Sequence, residues 1–167
     1  MNKRLIALLT VLLIFLLVVI SLLIYNQWPL LTGNRIVLAT HPVDPFDPFM
    51  GQYMTINYEI SSLDGGNFAE GDSVYVLLKE DNQGIWRKES LSSSKPGTGD
   101  FIKGKVNPHS RISFGIEQYY FERNANLPTT NITVEVAVAS SGRAKIVQLL
   151  TNGKPVEIEY KKFDIKG

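Results

Sequence analysis

The sequence predicts an all-β domain, an antiparallel sandwich or partly open barrel of about nine short strands, carried by one N-terminal transmembrane helix. Three observations lead there. Residues 5–24 form twenty consecutive positions without a charge, with Thr10 and Ser21 as the only weakly polar interruptions. After Pro29, apolar residues recur at every second position in short runs, and no long segment carries a helical period. Turn-forming pairs such as Asn152-Gly153 separate those runs.

At about 1.5 Å per residue, the apolar run makes a helix roughly 30 Å long, the thickness of a bilayer's hydrocarbon core. Lys3 and Arg4 precede it, and Tyr25 and Trp28 follow as interfacial aromatics. A positive leading flank predicts an N-terminus in the cytoplasm. The chain then divides into a cytoplasmic stub (1–4), a membrane anchor (5–25), a juxtamembrane linker (26–34) and an extracytoplasmic β domain (35–167). A cleaved signal peptide would have an apolar region of about 7–15 residues ending in a small-x-small site. "SLLIYNQWPL" offers no such site, so the expectation is an uncleaved, single-pass anchor in the cytoplasmic (inner) membrane. With no cysteine, lipoprotein acylation, disulfides, Cys-based metal sites and thiol catalysis are excluded. All sixteen acidic residues and fifteen of the seventeen basic ones follow the anchor, so the body has a net charge of −1. Such a balance gives no electrostatic footprint for nucleic acid.

Strands are expected at 35–39, 53–60, 73–79, 85–90, 101–106, 112–121, 132–139, 144–150 and 155–160. "YMTINYEI" puts Met54, Ile56, Tyr58 and Ile60 on one face and Tyr53, Thr55, Asn57 and Glu59 on the other. "ITVEVAVA" alternates in the same way through Ile132, Val134, Val136 and Val138. Asn152-Gly153 is a hairpin signal, Ser141-Gly142 joins the two strands before it, and 82–84 joins the third and fourth strands. The last three strands should therefore form an antiparallel meander. The polar, glycine-rich loops 61–67 and 91–100 read as connections.

The stretch "HPVDPFDPFMGQYMTINYEI" leads into the second strand. Pro42, Pro45 and Pro48 recur with the polyproline II repeat, and Asp44 and Asp47 each precede a proline, where extended geometry is enforced. Gly51 supplies the change of direction into the strand. "GQYMTINY" resembles the signature of the GDYXXLXY protein family of membrane-anchored bacterial proteins. Gly51, Tyr53 and Tyr58 match it directly, and Ile56 stands where the family has leucine. "PVDPFDP", "FIKGKV", "FGIEQYYF" and "VAVASSGRAKIVQLLTNGK" are also similar to that family's run of segments. The resemblance implies architecture and location and brings no activity with it. Gln52 replaces the family's aspartate; a glutamine cannot ionise, so this position can be neither general acid or base nor an anionic metal ligand.

His41, Asp44 and Asp47 contain donors suited to a metal, but no second histidine lies at ligand spacing, and no cofactor or metal is expected. The anchor, the glycine at a strand entrance and "FIKGKV" together resemble type I signal peptidases, which would make Lys103 a general base. "HPVDPFDPFM" contains no serine to serve as its nucleophile. Glu157 and Glu159 share one face of one strand, the pattern of a solvated face rather than of a glycosidase pair. "EQYYFER" (117–123) reads as core-packing aromatics, or as a rim for a partner.

The function expected is that of a non-catalytic accessory or binding module for another envelope or membrane protein, with a multi-pass protein as the partner class. The alternative is an envelope hydrolase, or a degenerate signal-peptidase-like protein, using Lys103. The candidate interaction or structural motif is Asp44, Asp47, Gly51, Gln52, Tyr53, Ile56 and Tyr58.

Overall fold

The computed structural model describes residues 2–41, 53–64, 67–121, 125–126, 131–157 and 159–160. An N-terminal helix, α1 (Lys3–Thr32), is followed by β1 (Asn34–Ala39), β2 (Tyr53–Thr55) and a single 3₁₀ turn at Glu59–Ser61. Next come β3 (Ser73–Glu80), β4 (Trp86–Ser92), β5 (Asp100–Val106), β6 (Ile112–Ser113), β7 (Gln118–Tyr120) and β8 (Ala125–Asn126). The chain ends with β9 (Ile132–Val138), β10 (Ala144–Thr151), β11 (Lys154–Pro155) and β12 (Glu159–Tyr160). The body is thus built of sheet, and α1 is the one helix among the described residues that is long and apolar enough to cross a membrane.

Eight strands form one sheet in the order β11-β10-β9-β1-β4-β3-β5-β6. The expected meander β9-β10-β11 is present and antiparallel, with Asn152 (φ 51°) and Gly153 (φ 74°) in its last turn. β1 sits in the centre, antiparallel to β9 with Ile36 opposite Val136 and Leu38 opposite Val134, and parallel to β4. The alternation read from the sequence holds: Met54, Ile56, Tyr58 and Ile60 are fully buried, as are Val134 and Val136. They pack with Leu38, Val74, Val76 and Ile102 into one core.

The sheet curls until its two halves meet. The backbone N–H of Lys103 in β5 donates to the carbonyl of Gly142, in the β9–β10 turn, at 2.8 Å. At Gly142 φ is +83°, and an added Cβ would lie 2.8 Å from the Phe101 ring and 2.9 Å from the Lys103 nitrogen. The closing contact of this partly open barrel therefore requires glycine twice over, for its backbone angle and for the missing side chain. On the outside, Arg87 pairs with Glu59 and with Asp81 (3.0 Å). Lys88 Nζ donates to Asp64 (2.8 Å) and to the carbonyl and hydroxyl of Ser62 (2.7 Å each), fastening 59–64 onto β4.

Four expected elements differ in extent. The strand read over 53–60 stops at Thr55, continues as an isolated bridge at Tyr58 and turns into the 3₁₀ segment. The one read over 112–121 is broken into β6 and β7 at Gly115 (φ +77°), where the Glu117 carboxylate accepts the backbone N–H groups of Phe114 and Gly115. The one read over 155–160 is divided into β11 and β12, the latter paired with β8. Finally, 26–32, read as linker, is helical, so α1 runs to Thr32 and reaches the sheet without a flexible join.

Candidate functional site

The body has two ends, defined by β1. This strand starts one residue after α1 and runs away from it, so at about 3.3 Å per residue its six residues separate the ends by roughly 20 Å. The described part of the GQYMTINY stretch, residues 53–58, belongs to the far end. The helix–sheet junction forms the near end.

At the far end, Thr40 bridges to Tyr58 and its hydroxyl donates to the Ile132 carbonyl at 2.6 Å. The His41 N–H donates to the Asn57 carbonyl at 2.8 Å. Tyr58 lies wholly inside: its ring meets Phe114 edge-on at 6.4 Å, and its hydroxyl donates to the Ile116 carbonyl at 2.8 Å. Burial, with the negative charge of Glu117 nearby, pushes this hydroxyl well above the ordinary tyrosine range. It stays a neutral donor inside the core. Ile56 is also core, and its N–H donates to the Glu117 carbonyl at 2.6 Å. Tyr53 opens β2 opposite Tyr120. The remaining candidates, Asp44, Asp47, Gly51 and Gln52, lie outside the described residues. Among the described residues, no group of three or more His, Asp or Glu is placed to hold a metal ion.

Lys103 occupies the exposed face of β5. Its ammonium sits 5.7 Å from the centre of the Tyr75 ring, and among the described residues no hydroxyl hydrogen-bonds to it.

The near end holds the arrangement that sequence reasoning missed. Pro29 lies inside α1 and is buried against the body. Having no N–H, it cannot serve the carbonyl four residues earlier, that of Tyr25. Arg143, on the far side of the β9–β10 turn, donates to that carbonyl at 2.8 Å, and its guanidinium lies 3.9 Å from the centre of the Tyr25 ring. A backbone acceptor exposed by proline is thus satisfied from 118 residues away, with a cation–π contact added. Gly33 closes the helix, donating to the Pro29 carbonyl at 2.8 Å, and an added Cβ there would lie 2.8–2.9 Å from the backbone of Val138. Beside this junction a cleft of about 610 Å³ opens into the mouth of the barrel, bordered by Asn34, Ile36, Lys95, Phe101 and Val138. The available signal was a proline four residues after an interfacial tyrosine and an arginine directly after a Ser-Gly turn; neither names its partner.

Among known proteins, a family model described as GDYXXLXY protein matches residues 15–149. No curated protein and no solved structure matches the chain.

Proposed function

The chain belongs to the GDYXXLXY protein family, and on that premise we propose that it is a single-pass membrane protein whose β domain braces another membrane protein without catalysing a reaction. In this reading residues 1–4 are cytoplasmic, the apolar part of α1 crosses the cytoplasmic membrane, and the body stands on the extracytoplasmic side. The Lys3 and Arg4 flank supports that orientation. The partner is a multi-pass protein of the same membrane. The docking surface comprises Asp44, Asp47, Gly51, Gln52 and Tyr53, in the sequence that leads into β2.

The helix–body junction carries this reading. Here Gly33 alone separates α1 from the central strand, and Arg143 clamps the helix to the β9–β10 turn. A body held at fixed height and angle presents its far end to a neighbouring membrane protein at high effective concentration, so a modest interface suffices. Ile56 and Tyr58 then act as the internal support of that end. The alternative of an envelope hydrolase finds no support in the exposed position of Lys103 above Tyr75.

Cross-linking of the full-length tagged protein in its native membranes tests the proposal, with residues 44–53 replaced by a Gly/Ser linker in a variant shown to unfold like the parent. One stoichiometric multi-pass partner, lost in the variant, is expected. No partner after gentle solubilisation would overturn the accessory role, and a partner retained by the variant would overturn the docking surface.

A further inference from the structure

A second feature of the near end faces the helix rather than the barrel. Between α1 and the β9–β10 turn lies a slot of about 480 Å³. Ser21, whose hydroxyl is taken up by the Leu17 carbonyl, lines one wall with Ile24, Tyr25 and Trp28, and Ser140, Ser141 and Arg143 form the other. No acidic side chain borders it among the described residues. The division is that of an amphipathic ligand, apolar on one side and rich in donors on the other. Arg143 uses one N–H on the Tyr25 carbonyl and its face on the Tyr25 ring. The rest of its five donors take part in no other hydrogen bond or ion pair among the described residues. Ser140 and Ser141 are exposed and bring two hydroxyls to the same rim.

The height of the slot identifies what fills it. Ile24 is the last residue of the apolar run that begins at Leu5, and Tyr25, Asn26 and Gln27 follow it, so it marks the edge of the hydrocarbon when α1 spans a bilayer. The headgroup layer beyond that edge is roughly 5–7 Å thick. Tyr25 and Trp28 fall within it at about 1.5 Å of rise per residue, and Arg143 is in contact with Tyr25. Hence the slot straddles the boundary between acyl chains and phosphates.

We propose that this slot is a phospholipid site in the leaflet on the body's side. The headgroup phosphate is held by the free N–H groups of Arg143 with the Ser140 and Ser141 hydroxyls, and the glycerol and upper acyl chain lie along Ile24 and Trp28. Guanidinium is suited to the task because its planar fork matches phosphate oxygens. The site rests on the reading of α1 as a spanning helix, and it adds a specific lipid contact to the clamp that holds the body upright.

The test uses full-length protein in nanodiscs of phosphatidylglycerol and phosphatidylcholine, released for native mass spectrometry so that retained lipid is counted. Ser141→Asp adds a negative charge at the rim without replacing Arg143 or Tyr25, and Ser140→Asp is the second variant. The wild type is expected to retain one phospholipid per chain, with retention about tenfold lower in each variant, the worth of one charge-assisted hydrogen bond. Equal retention in wild type and variants would overturn the site. Displacement of the lipid by millimolar inorganic phosphate would replace it with a free-anion site. A carbonate wash of the native membranes separates the two failures. If it extracts the wild type, the spanning reading falls and the lipid site with it; a wild type that stays in the membrane yet retains no lipid sinks the lipid site alone.

Discussion

Arg143 donates a 2.8 Å hydrogen bond to the carbonyl of Tyr25, the one acceptor that Pro29 deprives of its partner in the helix. A proline within a helix ordinarily costs about 3 kcal/mol through the lost bond and the clash with the preceding turn. Here the lost bond is replaced, and the replacement joins the helix to the sheet. The same side chain places its charge over the Tyr25 ring at 3.9 Å, so bond and stacking act together to fix one geometry.

Gly33→Ala is expected to destabilise the protein by about 1–3 kcal/mol, the range for forced overpacking. The backbone angle at Gly33 is ordinary (φ −78°), so the effect is steric alone, and the atoms met are backbone atoms of Pro29 and Val138 that cannot swing aside. Gly97→Ala, which meets nothing within 4 Å, should stay within about 0.5 kcal/mol. Denaturant unfolding of both variants checks the contrast.

Tyr58→Phe keeps the ring and its edge contact with Phe114 but removes the hydroxyl that donates to the Ile116 carbonyl. The buried acceptor is left without that donor, at a cost of about 1–3 kcal/mol. The expected signature is a lower denaturant midpoint with an unchanged slope, since the exposed area on unfolding does not change. A midpoint equal to that of the wild type would show that the signature tyrosine matters for something other than this bond.

Acid should weaken the fold from about pH 4 downward, the region where unfolded aspartates take up protons. The backbone N–H groups of Ile85 and Gln83, with Arg87, hold the Asp81 carboxyl below its usual range. A hydrogen bond from Lys88, then one from Ser62, does the same for Asp64. For a depressed carboxylate the unfolded chain binds the proton first. Its stabilisation is therefore complete above the unfolded value and disappears as the pH falls through the folded one. Asp64 is exposed and Asp81 only half-buried at the surface, so the effect is small. Melting temperature against pH should be level from 7 to about 4 and then decline, less steeply in Asp81→Asn. A melting temperature that rises below pH 4 would contradict the assignment.

Much of the body was legible because local chemistry repeats itself in strands. The alternation at Met54, Ile56, Tyr58 and Ile60 named the buried face correctly, and Asn152-Gly153 named its hairpin. What periodicity does not encode is the identity of a strand's neighbour. The central place of β1 and its parallel contact with β4 depend on residues far apart in the chain. The break at Gly115 was hidden because its stabilising group, the Glu117 carboxylate, looks like any solvated charge in the sequence. The clamp was hidden for a similar reason. Residues 26–34 read as a linker, and the bond from Arg143 that satisfies the Tyr25 carbonyl where the helix continues through Pro29 comes from the β9–β10 turn, far along the chain.

The central claim is that helix and body form one rigid unit, and a distance measurement tests it most directly. The chain has no native cysteine, so Leu22→Cys in α1 and Glu89→Cys in β4 place two spin labels without interference in protein reconstituted into nanodiscs. A single narrow distance distribution is expected, broadening when Arg143→Ala is added. A broad distribution before that change would mean that the body swings freely on its anchor, and the bracing function would fall with the clamp.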